Sequence, residues 1–389
     1  MPLAAATLLW RSASVPSMRP DAKAASNNAL GLLRPVKREE GAIDAIGSEG
    51  DMRATVIHGP RDVRFEEWPE PRIVEPTDAI IRIAAACVCG SDLWPYRGLQ
   101  PLNGATPMGH EYCGFVEDVG GDVRNVKPGQ FVVGSFASSD NTCAHCQHGY
   151  QSSCVHREFL SGAQAPYFRV PLADGTLVPT PERPDDSMIP ALLTASDVLG
   201  TGWFAADAAN VRPGATVVVV GDGAVGLLGV LSARQMGAER IIAMSRHPSR
   251  QNLAREFGAT DIVAERGEEG AARIKELTGG IGADSVLECV GTQDAMLQSI
   301  AAARPGGAVG FVGVPHGVSI DGAGLFLAHV RLHGGPAPVR RYLPHLIDLV
   351  LQGAIDPGRV FDLVLPLEQV AEGYAAMDDR RAIKALLQP

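Results

Sequence analysis

The chain has 389 residues, which is enough for two domains with sizeable cores. Its hydrophobic content of 46% and charged content of 20% are typical of a globular protein, and it has no apolar run long enough to cross a membrane. A net charge of −10 argues against a nucleic-acid partner, which would need a basic face.

Residues 1–51 differ from the rest of the chain. They carry Ala, Ser, Arg and Asn without sustained hydrophobic periodicity, and they resemble a transit peptide only weakly. Residues 52–59 form a natural first strand. We therefore interpret 1–51 as a disordered N-terminal extension, or as the product of a start codon assigned too early.

The next part of the chain predicts a compact, mostly antiparallel barrel-like unit. Short β-rich runs alternate with Gly/Pro turns at 79–83, 114–119 and 130–133. An Ala- and Leu-rich stretch at 190–210 then predicts helical structure that ends before Arg212.

From residue 215 the pattern changes to strands that alternate with helices. The continuous β-branched run 215–220 predicts a strand buried on both faces, followed by a helix at 227–236. Further strands are predicted at 240–244, 261–263, 285–288 and 308–312, with helices between them. This alternation predicts a doubly wound parallel sheet, and hence an α/β protein. Helices at 343–351 and 367–377 and a strand at 383–387 are predicted to close the chain.

A glycine fingerprint joins the first predicted parallel strand to its helix. Its residues are Gly221, Gly223, Ala224, Val225 and Gly226. The first glycine allows a tight turn, the second allows a pyrophosphate to approach the backbone, and the third allows close helix–strand packing. A plain strand–helix corner could contain the same glycines, but the buried strand before them favours dinucleotide binding.

The end of the second parallel strand predicts which dinucleotide binds. An NAD-binding site usually has an acid there to hold the ribose hydroxyls. Residues 244–250 contain no acid, whereas Ser245, Arg246 and Arg250 suit a 2′-phosphate. We therefore expect NADP(H) to be favoured over NAD(H).

Two groups of residues have the chemistry of zinc sites. Cys89, His110, Glu111 and Asp197 offer a thiolate, an imidazole and two carboxylates, which suit a catalytic zinc. Each alone is more often structural, but their joint occurrence favours a metal site.

The second group is Cys143, Cys146 and Cys154, on a loop that suits a structural zinc. Asp140 is the favoured fourth ligand. The rivals are His145, His148 and His156, and a loop with free thiols is the alternative. An odd cysteine total of seven, with three in twelve residues, indicates metal binding in a reducing compartment, so we predict a cytoplasmic protein.

Residues 52–389 resemble the zinc-dependent medium-chain alcohol dehydrogenases. The motifs that carry the resemblance are 88–92, 109–111, the Cys143 loop, 195–202, 221–226 and 304–307. The resemblance implies a GroES-like catalytic domain at 52–200, completed by 337–389, and a Rossmann coenzyme-binding domain at 201–336. It also favours a homodimer or homotetramer.

The resemblance also assigns roles to individual residues. Cys89, His110 and Asp197 match the catalytic zinc ligands, and Glu111 matches a carboxylate that can approach the metal. Lys384 matches a basic position near the cofactor pyrophosphate. Ser91 matches the residue that passes a proton, and Asp92 matches the partner of His110. The resemblance therefore implies that Ser91, Asp92 and Glu111 are the catalytic residues.

The chain departs from the family pattern at three positions. Asp197 stands where many members have a cysteine, although an acid there is a familiar variant. Trp94 stands where many members carry a histidine that ends the proton relay, and Asp140 stands where the first cysteine of the structural site would be. Trp94 and Tyr112 are predicted to form an apolar pocket wall.

We expect the chain to interconvert an alcohol and its aldehyde or ketone with zinc and NADP(H). One alternative is an NAD-dependent polyol, sugar or formaldehyde dehydrogenase of the same fold. The other is a non-catalytic, redox-responsive protein that binds NADPH and zinc.

Overall fold

The computed structural model describes residues 51–389. The predicted N-terminal extension lies outside the described residues, except for Asp51, which begins the first strand. The strands are β1 Asp51–Gly59, β2 Asp62–Pro69, β3 Ala79–Cys87, β4 Thr106–Pro107, β5 Tyr112–Val119, β6 Phe131–Gly134, β7 Tyr167–Val170, β8 Leu177–Pro179, β9 Thr216–Val220, β10 Arg240–Met244, β11 Asp261–Val263, β12 Ala283–Glu288, β13 Ala303–Phe311, β14 Arg331–Gly334, β15 Leu363–Pro366 and β16 Ala385–Gln388. The helices are α1 Leu93–Tyr96, α2 Ala144–Gln147, α3 Ala173–Thr176, α4 Ile189–Thr194, α5 Val198–Ala208, α6 Ala224–Gln235, α7 Pro248–Phe257, α8 Gly267–Leu277, α9 Gln293–Ala302, α10 Gly322–Ala328, α11 Val339–Leu351 and α12 Val370–Asp378.

Two sheets dominate the structure. A mixed sheet has the strand order β15-β16-β3-β5-β6-β8, with β7 also paired to β3. Its pairs are antiparallel except for β15 and β16, which run parallel. The last strand of the chain therefore completes the sheet that the first part of the chain begins.

The second sheet is parallel and has the order β11-β10-β9-β12-β13-β14. Its central strand β9 is buried because Val217 and Val219 pack into one core cluster while Val218 and Val220 pack into another. The structure confirms the predicted α/β architecture with a doubly wound parallel sheet. The strand order reverses between β9 and β12, which is where open parallel sheets bind their ligands.

The stretch predicted to be helical at 190–210 is helical, but a break divides it. The structure has two helices, α4 and α5, and Asp197 lies at the break between them with φ −151° and ψ −76°. These angles are outside the helical region, so the chain turns there and α5 starts anew. The break brings the Asp197 carboxylate to a metal-binding position.

Within residues 51–389, no helix combines the length and the apolar composition that crossing a membrane requires.

Candidate active site and metal centres

The first metal-binding group gathers residues from three separate segments. Cys89 follows β3, His110 and Glu111 precede β5, and Asp197 lies between α4 and α5. One ligand atom from each of the four residues lies within 4.8 Å of the others. The distance from His110 Nε2 to Asp197 Oδ2 is 3.2 Å, and from Cys89 Sγ to the same oxygen it is 3.8 Å.

Neighbouring side chains hold these groups in place. Asp92 Oδ2 accepts a hydrogen bond from the Cys89 backbone N–H at 2.9 Å, and its Oδ1 lies 3.3 Å from His110 Nδ1. This contact leaves His110 Nε2 directed at the metal-binding group. The Thr201 hydroxyl donates to Asp197 Oδ1 at 2.7 Å, so the other oxygen of that carboxylate faces His110. Such partners fix the ring and carboxylate orientations that metal binding needs.

The electrostatics of this group favour a cation. Burial acts to lower the pKa of His110, but the charges of Asp92 and Cys89 and the hydrogen bond with Asp197 raise it well above its usual value. Burial acts to raise the pKa of Asp197, yet its hydrogen bond with His110 lowers it. A bound Zn²⁺ would supply the positive charge that these groups otherwise draw from a proton.

Glu111 gives a further sign that a cation fits here. Its side chain is fully buried, and Oε2 has no hydrogen-bond partner among the described residues. A buried carboxylate oxygen without a partner is costly unless a cation or another donor satisfies it. Together with the sulfur, nitrogen and oxygen donors of the group, it fits a catalytic zinc.

Lys384 contacts the same carboxylate. Its buried ammonium donates to Glu111 Oε1 at 2.6 Å and to the Val88 carbonyl at 3.1 Å. Burial acts to lower the pKa of Lys384, but its acidic neighbours Cys87 and Glu111 raise it well above its usual value. The ammonium is therefore charged and hydrogen-bonded to Glu111, a member of the first metal-binding group. Its contact with a cofactor pyrophosphate stays a prediction.

Ser91, the last residue of the predicted catalytic group, and Tyr112, which was predicted to line the pocket, differ in their outcome. Ser91 Oγ lies 3.5 Å from His110 Nε2, which places its hydroxyl beside the metal-binding group. The prediction that Tyr112 lines the pocket is wrong, because this ring is fully buried in the barrel core against Phe168. Tyr112 points inward because it begins β5, whose first three residues are all buried.

The second metal-binding group assembles on the loop around α2. Ligand atoms of Asp140, Cys143, Cys146 and Cys154 lie within 4.8 Å of one another. The Sγ of Cys143 lies 3.5 Å from that of Cys146 and 3.9 Å from that of Cys154. Hydrogen bonds from backbone N–H groups lower the pKa of Cys143 to about 7, which favours the thiolate that binds metal.

Of the rival fourth ligands, Asp140 is the one that the structure brings to the sulfurs. Its Oδ1 accepts hydrogen bonds from the Thr142 and Cys143 backbones, and its Oδ2 lies 2.8 Å from His156 Nδ1. His148 is exposed and contacts the Ala144 carbonyl instead. A carboxylate with three sulfurs is an acceptable closed zinc site.

The glycine loop has the geometry that a dinucleotide requires. Gly221 has φ +117°, and a Cβ on Gly226 would lie 2.1 Å from the Gly221 carbonyl oxygen. Both positions therefore require glycine. A Cβ on Gly223 would meet no atom within 4 Å, so this residue faces open space, where a pyrophosphate could approach. Ala224 and Val225 begin α6, whose N-terminus faces the same space.

Asp222, in the middle of this loop, was missed by the sequence analysis. Its Oδ2 accepts a hydrogen bond from the Ser245 hydroxyl at 2.6 Å, and its Oδ1 lies 3.5 Å from Arg250 Nη1. The end of β10 therefore does have an acid beside it, although that acid comes from the glycine loop. Arg246 is exposed next to them.

His316 was also missed. It lies after β13 at the carboxyl edge of the parallel sheet, and its ring stacks on Trp94 with centroids 3.3 Å apart. Its Nε2 is buried and has no hydrogen-bond partner within residues 51–389. The spacing of residues along the chain could not predict this contact, because Trp94 comes after a strand of the mixed sheet and His316 comes after a strand of the parallel sheet.

Comparison with known proteins agrees with this geometry. Residues 75–182 match the alcohol dehydrogenase GroES-like domain, and residues 224–352 match the zinc-binding dehydrogenase domain. The chain is 34% identical over 358 residues to zinc-type alcohol dehydrogenase B of Aspergillus flavus, covering 88% of this chain and 82% of that one.

Two further proteins are similar over most of their length. The NADP-dependent isopropanol dehydrogenase of Thermoanaerobacter brockii is 30% identical, covering 83% of this chain and 94% of its own. The structure of alcohol dehydrogenase TADH from Thermus sp. ATN1 is 33% identical with a TM-score of 0.80, covering 87% of this chain and 99% of its own. This chain therefore belongs to the zinc-binding alcohol dehydrogenases of the medium-chain dehydrogenase/reductase superfamily.

Proposed function

We propose that the chain interconverts a small alcohol and its aldehyde or ketone, with Zn²⁺ at Cys89, His110 and Asp197 and with NADP(H) preferred. The observation that carries the proposal is the convergence of these three ligands with Ser91 beside them. Zinc would polarise the carbon–oxygen bond and the nicotinamide would exchange a hydride. The side chains of the protein would then bind and orient the substrate and the metal, and they would move the proton of the alcohol.

Ser91 is the residue that we assign to the proton. Its hydroxyl can accept the proton of the alcohol and donate another to solvent, because Ser91 is partly exposed. Asp92 keeps His110 in one orientation, and Thr201 does the same for Asp197. The ligand geometry therefore depends on two contacts outside the metal shell.

The preference for NADP(H) is supported by Ser245, Arg246 and Arg250 at the end of β10. An arginine pair with a hydroxyl suits a 2′-phosphate. The similarity to a relative described as an NADP-dependent isopropanol dehydrogenase supports the same preference. Asp222 favours a second candidate, an NAD-dependent polyol, sugar or formaldehyde dehydrogenase, since its carboxylate could hold ribose hydroxyls.

We also propose that two copies of the chain pair through β14 and α10. β14 is an edge strand of the parallel sheet, and α10 exposes Phe326 and Leu327 at 77% and 74%. An exposed edge strand beside exposed large apolar side chains is a surface that a partner usually covers. The predicted homodimer would cover this surface, and a homotetramer would need a further one. The cytoplasmic location also stays a prediction.

Metal analysis combined with steady-state kinetics tests the proposed function. We expect two zinc ions per chain and turnover of an alcohol–carbonyl panel, with kcat/KM higher for NADP(H) than for NAD(H). Higher kcat/KM with NAD(H) would favour the second candidate. Zinc-bound protein without turnover of any alcohol, polyol, sugar or formaldehyde adduct would contradict both candidates.

A further inference from the structure

We propose that Asp222 limits the preference of this site for a 2′-phosphate, so that the chain can accept NAD(H) as well as NADP(H). The inference rests on the proposed nicotinamide-dinucleotide site, but not on which of the two cofactors is preferred. Asp222 lies between the first two glycines of the loop that would hold the pyrophosphate.

The first observation is that Asp222 occupies the groups that would bind the phosphate. Ser245 donates its hydroxyl hydrogen to Asp222 Oδ2 at 2.6 Å. Arg250 Nη1 lies 3.5 Å from Oδ1 and donates to the Asp222 carbonyl at 3.2 Å. A 2′-phosphate that uses Ser245 and Arg250 must therefore compete with a carboxylate that is already bonded to both.

The second observation is that these contacts are sheltered from solvent. The side chains of Arg250 and Asp222 are 11% and 18% exposed, and Ser245 is buried. Arg250 is also held from its other side, because Nη2 donates to the Ala382 carbonyl at 3.3 Å. Screening by water is therefore weak, and the arginine cannot easily turn away from Asp222.

The third observation is the balance of charge around Asp222. Burial lowers the pKa of Arg266, and the charges of Arg246 and Arg380 lower it further, whereas Asp222 opposes them. Asp222 is in contact with Arg250, and Asp222, Arg246 and Arg380 each act on Arg266, so one acid shares this region with four arginines. The surplus of positive charge can attract a phosphate, while Asp222 repels it at close range.

These contacts give Asp222 opposite effects on the two cofactors. A ribose 2′-hydroxyl can donate a hydrogen bond to the carboxylate, as ribose hydroxyls do to the acid of an NAD site. A 2′-phosphate can only accept hydrogen bonds at its ionised oxygens, so it meets repulsion from Asp222. Removing the charge of Asp222 should weaken the binding of NAD(H), which has the 2′-hydroxyl, and strengthen the binding of NADP(H), which has the 2′-phosphate.

The test uses two probes that differ only at the 2′ position, AMP and adenosine 2′,5′-bisphosphate, titrated by calorimetry into the zinc-loaded full chain. For Asp222→Asn we expect the ratio of Kd for AMP to Kd for the bisphosphate to rise at least about tenfold, which corresponds to about 1.4 kcal/mol. Asp348→Asn is the matched control, because this exposed acid on α11 carries the same charge. Its ratio should stay within about twofold of the unmodified chain.

Asp222→Ser provides a second variant, and its ratio should rise in the same direction. An unchanged ratio in both Asp222 variants would overturn the proposal, and so would an equal rise in the Asp348→Asn control. Loss of folding in both Asp222 variants, judged by circular dichroism, would assign this carboxylate to the fold and would also overturn it.

Kinetics separate this inference from the proposed NADP(H) preference. If the unmodified chain prefers NAD(H) but Asp222→Asn still raises the ratio of kcat/KM for NADP(H) over NAD(H), the NADP(H) preference fails and the role of Asp222 stands. If the unmodified chain prefers NADP(H), and the Asp222 variants change neither the Kd ratio of the two probes nor the kcat/KM ratio of the two cofactors, the preference stands and the role of Asp222 fails.

Discussion

The indole of Trp94 stacks on the imidazole of His316, with ring centroids 3.3 Å apart and an angle of 25° between the planes. Trp94 lies in α1, five residues after Cys89, and His316 follows β13 of the parallel sheet. The stack therefore links the first metal site directly to the sheet edge at which we expect the nicotinamide.

We expect the stack to help align the metal site with the cofactor. His316→Ala should lower kcat/KM about three- to tenfold, because an aromatic pair contributes about 0.5–1.5 kcal/mol beyond its buried area. His316→Phe keeps a ring and should retain most of the activity in steady-state kinetics. Equal losses in both variants would instead point to the unpaired Nε2 as the important group.

Cys89→Ser should remove the catalytic metal. Zinc content by mass spectrometry should fall by one ion per chain, and kcat should fall at least about a hundredfold, equivalent to about 2.7 kcal/mol in the barrier. Calorimetric binding of the cofactor should persist, since the glycine loop is unchanged. Cys289→Ser, outside both metal-binding groups, serves as the control. Full activity in Cys89→Ser would contradict the assignment of the catalytic zinc.

Asp140→Asn should weaken the second metal site without abolishing turnover. The amide keeps an oxygen that can accept the Thr142 and Cys143 backbone hydrogen bonds, but it loses the ligand charge. We expect one zinc fewer per chain and a Tm lower by about 2–4 °C for each kcal/mol lost. His148→Asn is the matched control; a zinc loss in that variant, with none in Asp140→Asn, would make the histidine the ligand.

Lys384→Met should destabilise the protein strongly. It leaves the Glu111 carboxylate buried without its 2.6 Å partner, and breaking a buried pair in this way costs about 3–5 kcal/mol. Denaturant unfolding of the zinc-loaded chain measures the cost. Glu111→Gln in the same chain should recover part of it, because the unpaired charge is then gone. If the double variant loses as much free energy of unfolding as the two single variants lose in sum, the pair is not coupled.

Phe326→Asp should separate the proposed dimer. A charge on the exposed face of α10 would have to be buried without a partner when two copies pair. Light scattering should show that the mass in solution is halved. Val74→Asp is the control, because the Val74 side chain is also exposed, at 60%, and lies far from α10 in the sequence. An unchanged mass for Phe326→Asp would place any interface elsewhere.

The sequence was enough to predict the residues whose chemistry and spacing are shared by the family. The residue types and family motifs around Cys89, His110 and Asp197 predict one metal site, and the buried β-branched strands predict the parallel sheet. These features depend on local patterns that survive in a single sequence.

Contacts between distant loops could not be predicted in the same way. Asp222 reaches the end of β10 from the glycine loop, so a search for an acid along β10 itself could not find it. His316 meets Trp94 only because two sheets bring their loops together. The break at Asp197 was hidden because the apolar composition of 190–210 suits one helix as well as two.

The pairing of β16 with β3 has a consequence for the order in which the protein can fold during synthesis. β3 is synthesised before the parallel sheet, but one of its partner strands, β16, is synthesised after it. The parallel sheet lies wholly within residues 216–334, so it can form first, as domains generally do when their strands are complete. The mixed sheet, which contains β3, is thus completed only after the parallel sheet has been made, and Lys384 can reach Glu111 only once the segment before β16 has been synthesised.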